Sequence, residues 1–186
     1  MTVARTSEGA DGAFAASLAA ETQAVGALET RFHPKPDVLI VEDDEDEVRF
    51  IVRAIQREGI VGRFKIVRSG EEALEYLEST LESTPSADPR PPTLPKPPVP
   101  KVVLLDLKLG GIGGAEVLRR MRAHDDWCTI PVVILSSTSS PEEICNCYRI
   151  GANSFVAKPA RSESPGAHVL EISRYWLDLN RPAPQR

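Results

Sequence analysis

Residues 38–48 read VLIVEDDEDEV: four apolar residues, Val38 to Val41, run straight into six consecutive acids, Glu42 to Glu47. An apolar run of that length, bounded by polar residues, reads as a buried strand. The acids read as the start of a helix, because carboxylates are favoured where the N–H groups of a first turn lack partners. Glu42 and Asp43 come too early for that helix. They sit on the carboxyl end of the strand, where their mutual repulsion calls for a cation. Beyond them Val48, Ile51, Val52 and Ile55 give one apolar helical face, and Gly59 offers a natural stop.

The same alternation recurs downstream. Further strands are expected at Phe64 to Val67, Val102 to Leu105, Pro131 to Leu135 and Ser154 to Ala157. Between them lie helical spacings: Ala73, Leu74, Leu77 and Leu81, then Val117, Leu118 and Met121, then a helix from Pro141 to Gly151. A fifth helix begins near Glu163 or Ala167 and runs to Leu179, with Val169, Ile172, Trp176 and Leu179 on its core face. Strands alternating with helices predict an α/β fold with a doubly wound five-stranded parallel sheet and helices on both faces. The strand order expected is the flavodoxin-like 2-1-3-4-5.

The 186 residues, 41% apolar and 26% charged, suit one globular domain with some extra chain. A formal net charge of -5, a pI near 5.3 and scattered basic residues give no footprint for nucleic acid. Cys128, Cys145 and Cys147 lack the spacing of a zinc site or a disulfide framework and suggest reduced thiols in a cytoplasm. No apolar run approaches the roughly 20 residues a membrane helix needs. Residues 13–20, AFAASLAA, follow Glu8 and Asp11 and make a poor signal peptide. A soluble, cytoplasmic protein without membrane contact is expected. Residues 1–36 read as a mobile tail, 37–180 as the domain and 181–186 as a short tail that leaves no room for an output domain. Within the domain, residues 85–100 (PSADPRPPTLPKPPVP) are half proline and predict a semi-rigid spacer between the second helix and third strand.

Three more polar residues close strands as Glu42 and Asp43 do. Asp106 ends the third in LLDLKLGGIGG, Ser136 the fourth in TIPVVILSS, and Lys158 the fifth in GANSFVAKPA. Singly they are unremarkable: a cap, a turn former, a solvated lysine. Jointly they gather at the carboxyl edge of the sheet, beside the switch point where open α/β sheets bind ligands. Glu42, Asp43 and Asp106 supply hard oxygen ligands for Mg²⁺, an ion that keeps several waters and favours phosphate. Lys158 and Ser136 can then receive the equatorial oxygens of a phosphoryl group in transfer, which leaves Asp106 as the nucleophile. His33, His124 and His168 fall outside the set. With no obvious base to activate water, an acyl phosphate here should persist as a signal rather than turn over as an enzyme intermediate.

VLIVEDDEDE, VVLLDLKLGGIGGAEVLRRMR, IPVVILSS and GANSFVAKP together resemble the four signature blocks of two-component response regulator receiver domains, in order. The resemblance implies that Glu42 and Asp43 are the acidic metal pair, that Asp106 is the phosphoacceptor, and that Lys108 lends a backbone carbonyl to the metal. It implies that Ser136 and Lys158 contact the phosphoryl group, that Phe155 is the aromatic switch, and that the Lys158–Pro159 peptide is cis. The partner it implies is a histidine kinase. Gly110 stands where the family usually has proline, and Gly113 where it often has aspartate, so a looser active-site loop than usual is expected. The proline-rich segment, CYRIGANSFVAKP and the closing RYWLDL are similar to single-domain regulators that serve phytochrome-type histidine kinases.

Other readings are a receiver-like scaffold that is never phosphorylated, a haloacid-dehalogenase-like phosphatase and a flavodoxin-like cofactor binder. The phosphatase needs an acid two residues after the nucleophile, where this chain has Lys108. The cofactor binder needs phosphate-cradling turns where this chain has carboxylates. Two surfaces stand out as well. Phe50 lies opposite the core stripe of the first helix, a place to dock a kinase. Leu170 and Leu177 form a second apolar stripe on the last helix, which suggests an isologous homodimer through helix 4, strand 5 and helix 5.

Overall fold

The computed structural model describes residues 36–58, 64–81, 97–137, 140–158, 165–181 and 183. Five strands, β1 (Val38–Val41), β2 (Phe64–Val67), β3 (Val102–Asp106), β4 (Val132–Ser136) and β5 (Ser154–Ala157), form one sheet. All its pairings are parallel, and the order is β2-β1-β3-β4-β5. Helices α1 (Glu45–Arg57), α2 (Gly70–Thr80), α3 (Gly114–Ala123), α4 (Pro141–Ile150) and α5 (Pro165–Arg174) connect or follow the strands. The expected fold class and strand order are therefore those observed. β3 and β4 each reach one residue further than expected, so Asp106 and Ser136 are the last residues of their strands.

The strands read as unbroken apolar runs because both faces of the sheet are covered. Val38 and Ile40 of β1, with Val102 and Leu104 of β3, pack against Ile51 and Ile55 of α1 and Val169 and Leu170 of α5. Leu39, Val41, Val103 and Leu105 turn the other way, toward Leu77 of α2, Leu118 and Met121 of α3 and Cys147 of α4. The alternation is that of any strand, period two, with both sets buried. Arg122 ties the far end of this second layer together. Its guanidinium donates to the carbonyls of Gly151 (2.8 Å), Cys128 (3.2 Å) and Ile130 (3.0 Å) and to Asn153 Oδ1 (2.8 Å).

The last helix departs from the expectation. Leu170 is buried in the core, and Leu177 packs in part against the same layer, so the second apolar stripe does not face solvent. Leu179, expected in the core, is 73% exposed. The cause is a change of pitch: after Arg174 the chain takes a π-helical turn, Tyr175–Leu179. That wider turn shifts the phase that an α-helical projection assumes. Phe50 is exposed, as read from the spacing of α1.

Most of the tail at 1–36, Gly59, residues 85–96 of the proline-rich segment and Pro159 lie outside the described residues, and with Pro159 the expected cis peptide. The end of the proline-rich segment is packed. The Tyr76 hydroxyl donates to the Pro98 carbonyl at 3.1 Å, and Pro100 is buried just before β3. Burial pushes that phenol up to about 12. Among the described residues, no helix is long and apolar enough to cross a membrane.

Two glycines allow close approaches, one beside the end of β3 and one between α5 and α1. A Cβ on Gly114 at the start of α3 would lie within 2.0 Å of the Asp106 carbonyl oxygen. One on Gly166 would meet Ala54 Cβ and the Phe50 carbonyl oxygen at 2.5 Å, where α5 crosses α1. Gly114→Ala and Gly166→Ala are each expected to lower stability by about 1–3 kcal/mol, the usual range for overpacking. Urea unfolding checks this, and an unchanged midpoint for either variant contradicts the close packing.

Candidate functional site

The carboxyl ends of β1, β3, β4 and β5 deliver Glu42, Asp43, Asp106, Ser136 and Lys158 to one place. Glu42, Asp106 and Ser136 are buried, whereas Asp43 is exposed. The β4–β5 ladder continues one rung past β5: the Lys158 N–H donates to the Ser136 carbonyl at 2.8 Å. This rung aligns the lysine backbone with the end of β4. The lysine side chain turns inward, only 10% exposed, and its Nζ donates to Glu42 Oε2 at 2.7 Å and Asp106 Oδ2 at 2.9 Å. A third carboxylate, Glu47 Oε2, lies 2.8 Å from the same nitrogen.

The electrostatics follow from burial. Desolvation pushes the Glu42 carboxyl up to about 7, against the hydrogen bond and charge of Lys158, which favour its ionised form. For Lys158 burial disfavours the ammonium, yet the carboxylates of Glu42, Glu47 and Asp106 hold its pKa above the ordinary value. Carboxylate oxygens of Glu42, Asp43 and Asp106 all lie within 4.8 Å of one another. Such a group of hard oxygen donors, one of them solvent-facing, fits a divalent cation of the Mg²⁺ or Mn²⁺ type that retains waters.

The structure divides the six acids of the opening motif among distinct tasks. Glu42 and Asp43 face the site. Asp44 caps α1, accepting from the N–H groups of Asp46 (2.9 Å) and Glu47 (3.1 Å). Glu45 and Asp46 point outward and pair with Arg49. Glu47 turns back to Lys158. The cap was legible in principle, because an acid followed three residues later by Glu is an N-terminal signature. The reach of Glu47 across to β5 had no local signal.

The glycine-rich loop after β3 is also held. Lys108 is exposed, but its N–H donates to Asp106 Oδ1 at 3.1 Å. The Gly110 N–H donates to Asp43 Oδ2 at 2.9 Å, a bond that proline at this position has no hydrogen to make. The Ile112 N–H donates to Glu71 Oε1 at 2.9 Å. Backbone N–H groups of Glu71 itself and of Ile112 keep the Glu71 carboxyl below the ordinary carboxylate range. Three carboxylates from three elements thus pin a loop whose composition suggested looseness. On β5, Phe155 is half-buried, and its N–H donates to the Tyr148 hydroxyl of α4 at 3.2 Å.

An all-parallel 2-1-3-4-5 sheet with paired acids, an aspartate, a hydroxyl and a lysine at its strand ends defines a receiver domain. Residues 38–167 match the response regulator receiver domain family, and the chain belongs to it. Among its relatives, the probable methanogenesis regulatory protein FilR2 of Methanothrix harundinacea is 34% identical over 148 residues, 79% of this chain and 88% of that protein. The response regulator Rcp1 of Synechocystis is 26% identical over 146 residues, 78% of this chain and 92% of Rcp1. The solved structure of the phosphorylated cyanobacterial phytochrome response regulator RcpA matches with a TM-score of 0.64 and 27% identity, covering 82% of this chain and 100% of RcpA. The Mn²⁺-bound form of Rcp1 matches with a TM-score of 0.63 and 25% identity, covering 80% of this chain and 100% of Rcp1. Residues 38–167 of the protein are thus a response regulator receiver domain.

Proposed function

We propose that Asp106 accepts a phosphoryl group from the phosphohistidine of a histidine kinase. A carboxylate oxygen of Asp106 bonds to phosphorus as the P–N bond breaks, and the electron pair of that bond stays on the kinase imidazole. The observation that carries this reading is the Lys158 ammonium 2.9 Å from Asp106 Oδ2, with Ser136 closing the neighbouring strand. Lys158 and the Ser136 hydroxyl are the groups that receive the phosphoryl oxygens. Glu42, Asp43 and Asp106 are the side chains that hold Mg²⁺, with the Lys108 carbonyl as a further ligand. Bound there, the ion neutralises the carboxylates and the incoming phosphoryl charge.

The likeness to RcpA, a cyanobacterial phytochrome response regulator, supports a phytochrome-type kinase as the partner to test first. Free, exposed Cys128 and Cys145 suit a reducing cytoplasm. Output passes through the surface of α4, β5 and α5, where Phe155 lies and Tyr148 is exposed, and through the turn that follows α5, where Tyr175 and Leu179 are exposed. The partner on that face is a second copy of the chain, its population shifted by phosphorylation.

Three outcomes are expected. Incubated with Mg²⁺ and phosphoramidate, the protein gains the mass of one phosphoryl group, and Asp106→Asn or EDTA abolishes the gain; undiminished phosphorylation in EDTA contradicts the metal-assisted route. Phe50→Ala, on the exposed side of α1, slows transfer from the kinase by about tenfold while leaving the small-donor rate unchanged, with equal kinase rates refuting the docking role. Light scattering on the double variant Tyr175→Glu/Leu179→Glu gives a monomer mass in the presence of phosphodonor. If the variant keeps the wild-type mass with and without the donor, the homodimer does not form through this surface.

A further inference from the structure

Lys158 has more carboxylate around it than the phosphoacceptor reading assigns. Two of its three neighbours, Glu42 and Asp106, belong to the trio whose oxygens converge within 4.8 Å. A carboxylate oxygen turned to a divalent cation gives up much of its attraction for an ammonium, and the cation itself repels the lysine. A long side chain released in this way regains rotamer freedom, which favours its drift into solvent. Glu47 is outside the trio, yet its Oε2 sits 2.8 Å from Lys158 Nζ.

The placement of Glu47 is rigid. Its backbone N–H is bound by the Asp44 cap at 3.1 Å, which fixes the first turn of α1. Its side chain is 29% exposed, against 75% for Glu45 and 78% for Asp46, whose carboxylates are tied to Arg49 on the outside. Of the three acids in that turn, only Glu47 faces the strand ends.

We propose that Glu47 is a positioning residue for phosphoryl transfer: it retains Lys158 beside Asp106 when Glu42 and Asp106 turn to the divalent cation, an inference that rests on the receiver reading above. Glu47 does not touch the phosphoryl group. It acts through Lys158, so its effect must vanish when Lys158 is absent.

The test uses the full chain, Mg²⁺ and phosphoramidate. At saturating Mg²⁺, Glu47→Gln is expected to slow phosphorylation by about fivefold or more, with Glu47→Asp recovering part of the rate. Glu45→Gln removes the same charge from the same turn and is expected to stay within about twofold of wild type, as exposed pairs contribute little. In Lys158→Ala, adding Glu47→Gln changes nothing further, the signature of two residues acting as one unit. A second readout needs no phosphoryl transfer: in the Mg²⁺-bound protein, the Lys158 side-chain methylene NMR signals gain mobility in Glu47→Gln but not in Glu45→Gln. Wild-type rates and mobility in Glu47→Gln overturn the proposal, as does equal slowing in the Lys158→Ala background. A wild-type protein that takes no phosphoryl group at all would instead overturn the receiver reading, and this proposal with it.

Discussion

One ammonium group, Nζ of Lys158, lies within 2.9 Å of carboxylates from β1, β3 and α1, at the end of β5. A cation 10% exposed is costly to bury unless it is paired, and a carboxylate such as Glu42, 1% exposed, is costly for the same reason. Each makes the other tolerable. The sheet order is what permits the arrangement, because 2-1-3-4-5 brings the ends of β1 and β3 side by side and β4 carries β5 alongside. The polar cluster therefore depends on the apolar layers beneath it. It also gives those layers a definite register, since a strand slipped by one residue would turn every buried side chain to the opposite face.

The cluster is poised rather than complete. Glu42, Glu47 and Asp106 share one ammonium, Asp43 adds a fourth carboxylate beside them, and desolvation already lifts the Glu42 carboxyl to about 7. The arrangement has room for further positive charge, and the exposed position of Asp43 leaves a path for a hydrated ion. A bound divalent cation and a transferred phosphoryl group change the charge balance in opposite senses. Lys158 is the group with the reach to follow both changes, and the β5 backbone beneath it leads directly to Phe155 and its bond with Tyr148. A charge event at Asp106 thus has a short physical route to the α4–β5 surface.

The fold, and the gathering of the candidate site residues on one edge of the sheet, are legible in the sequence because their signals are local. Continuous apolar runs marked doubly covered strands, and the polar residues that ended those runs had to fall on one edge of a parallel sheet. What escaped notice depends on side chains meeting across the fold. Glu47 reaches a lysine 111 positions away, and Arg122 gathers carbonyls from two segments, 128–130 and Gly151. Gly110 suggested a loose loop by composition, but the hydrogen its backbone carries, and proline lacks, anchors the loop to Asp43. The misplacement of Leu179 has a different origin. A constant pitch of 3.6 residues was carried through Tyr175–Leu179, where the chain is π-helical, and projection gave the wrong face.

The most direct test of the central claim is a crystal structure of the protein with Mg²⁺ and beryllofluoride, a stable stand-in for the phosphoryl group. The account predicts beryllium bonded to an Asp106 carboxylate oxygen, Lys158 Nζ and Ser136 Oγ within hydrogen-bonding distance of the fluorides, and the ion held among Asp43, Asp106 and Glu42. A structure with Lys158 swung into solvent and beryllofluoride absent from Asp106 at saturating concentration would contradict it.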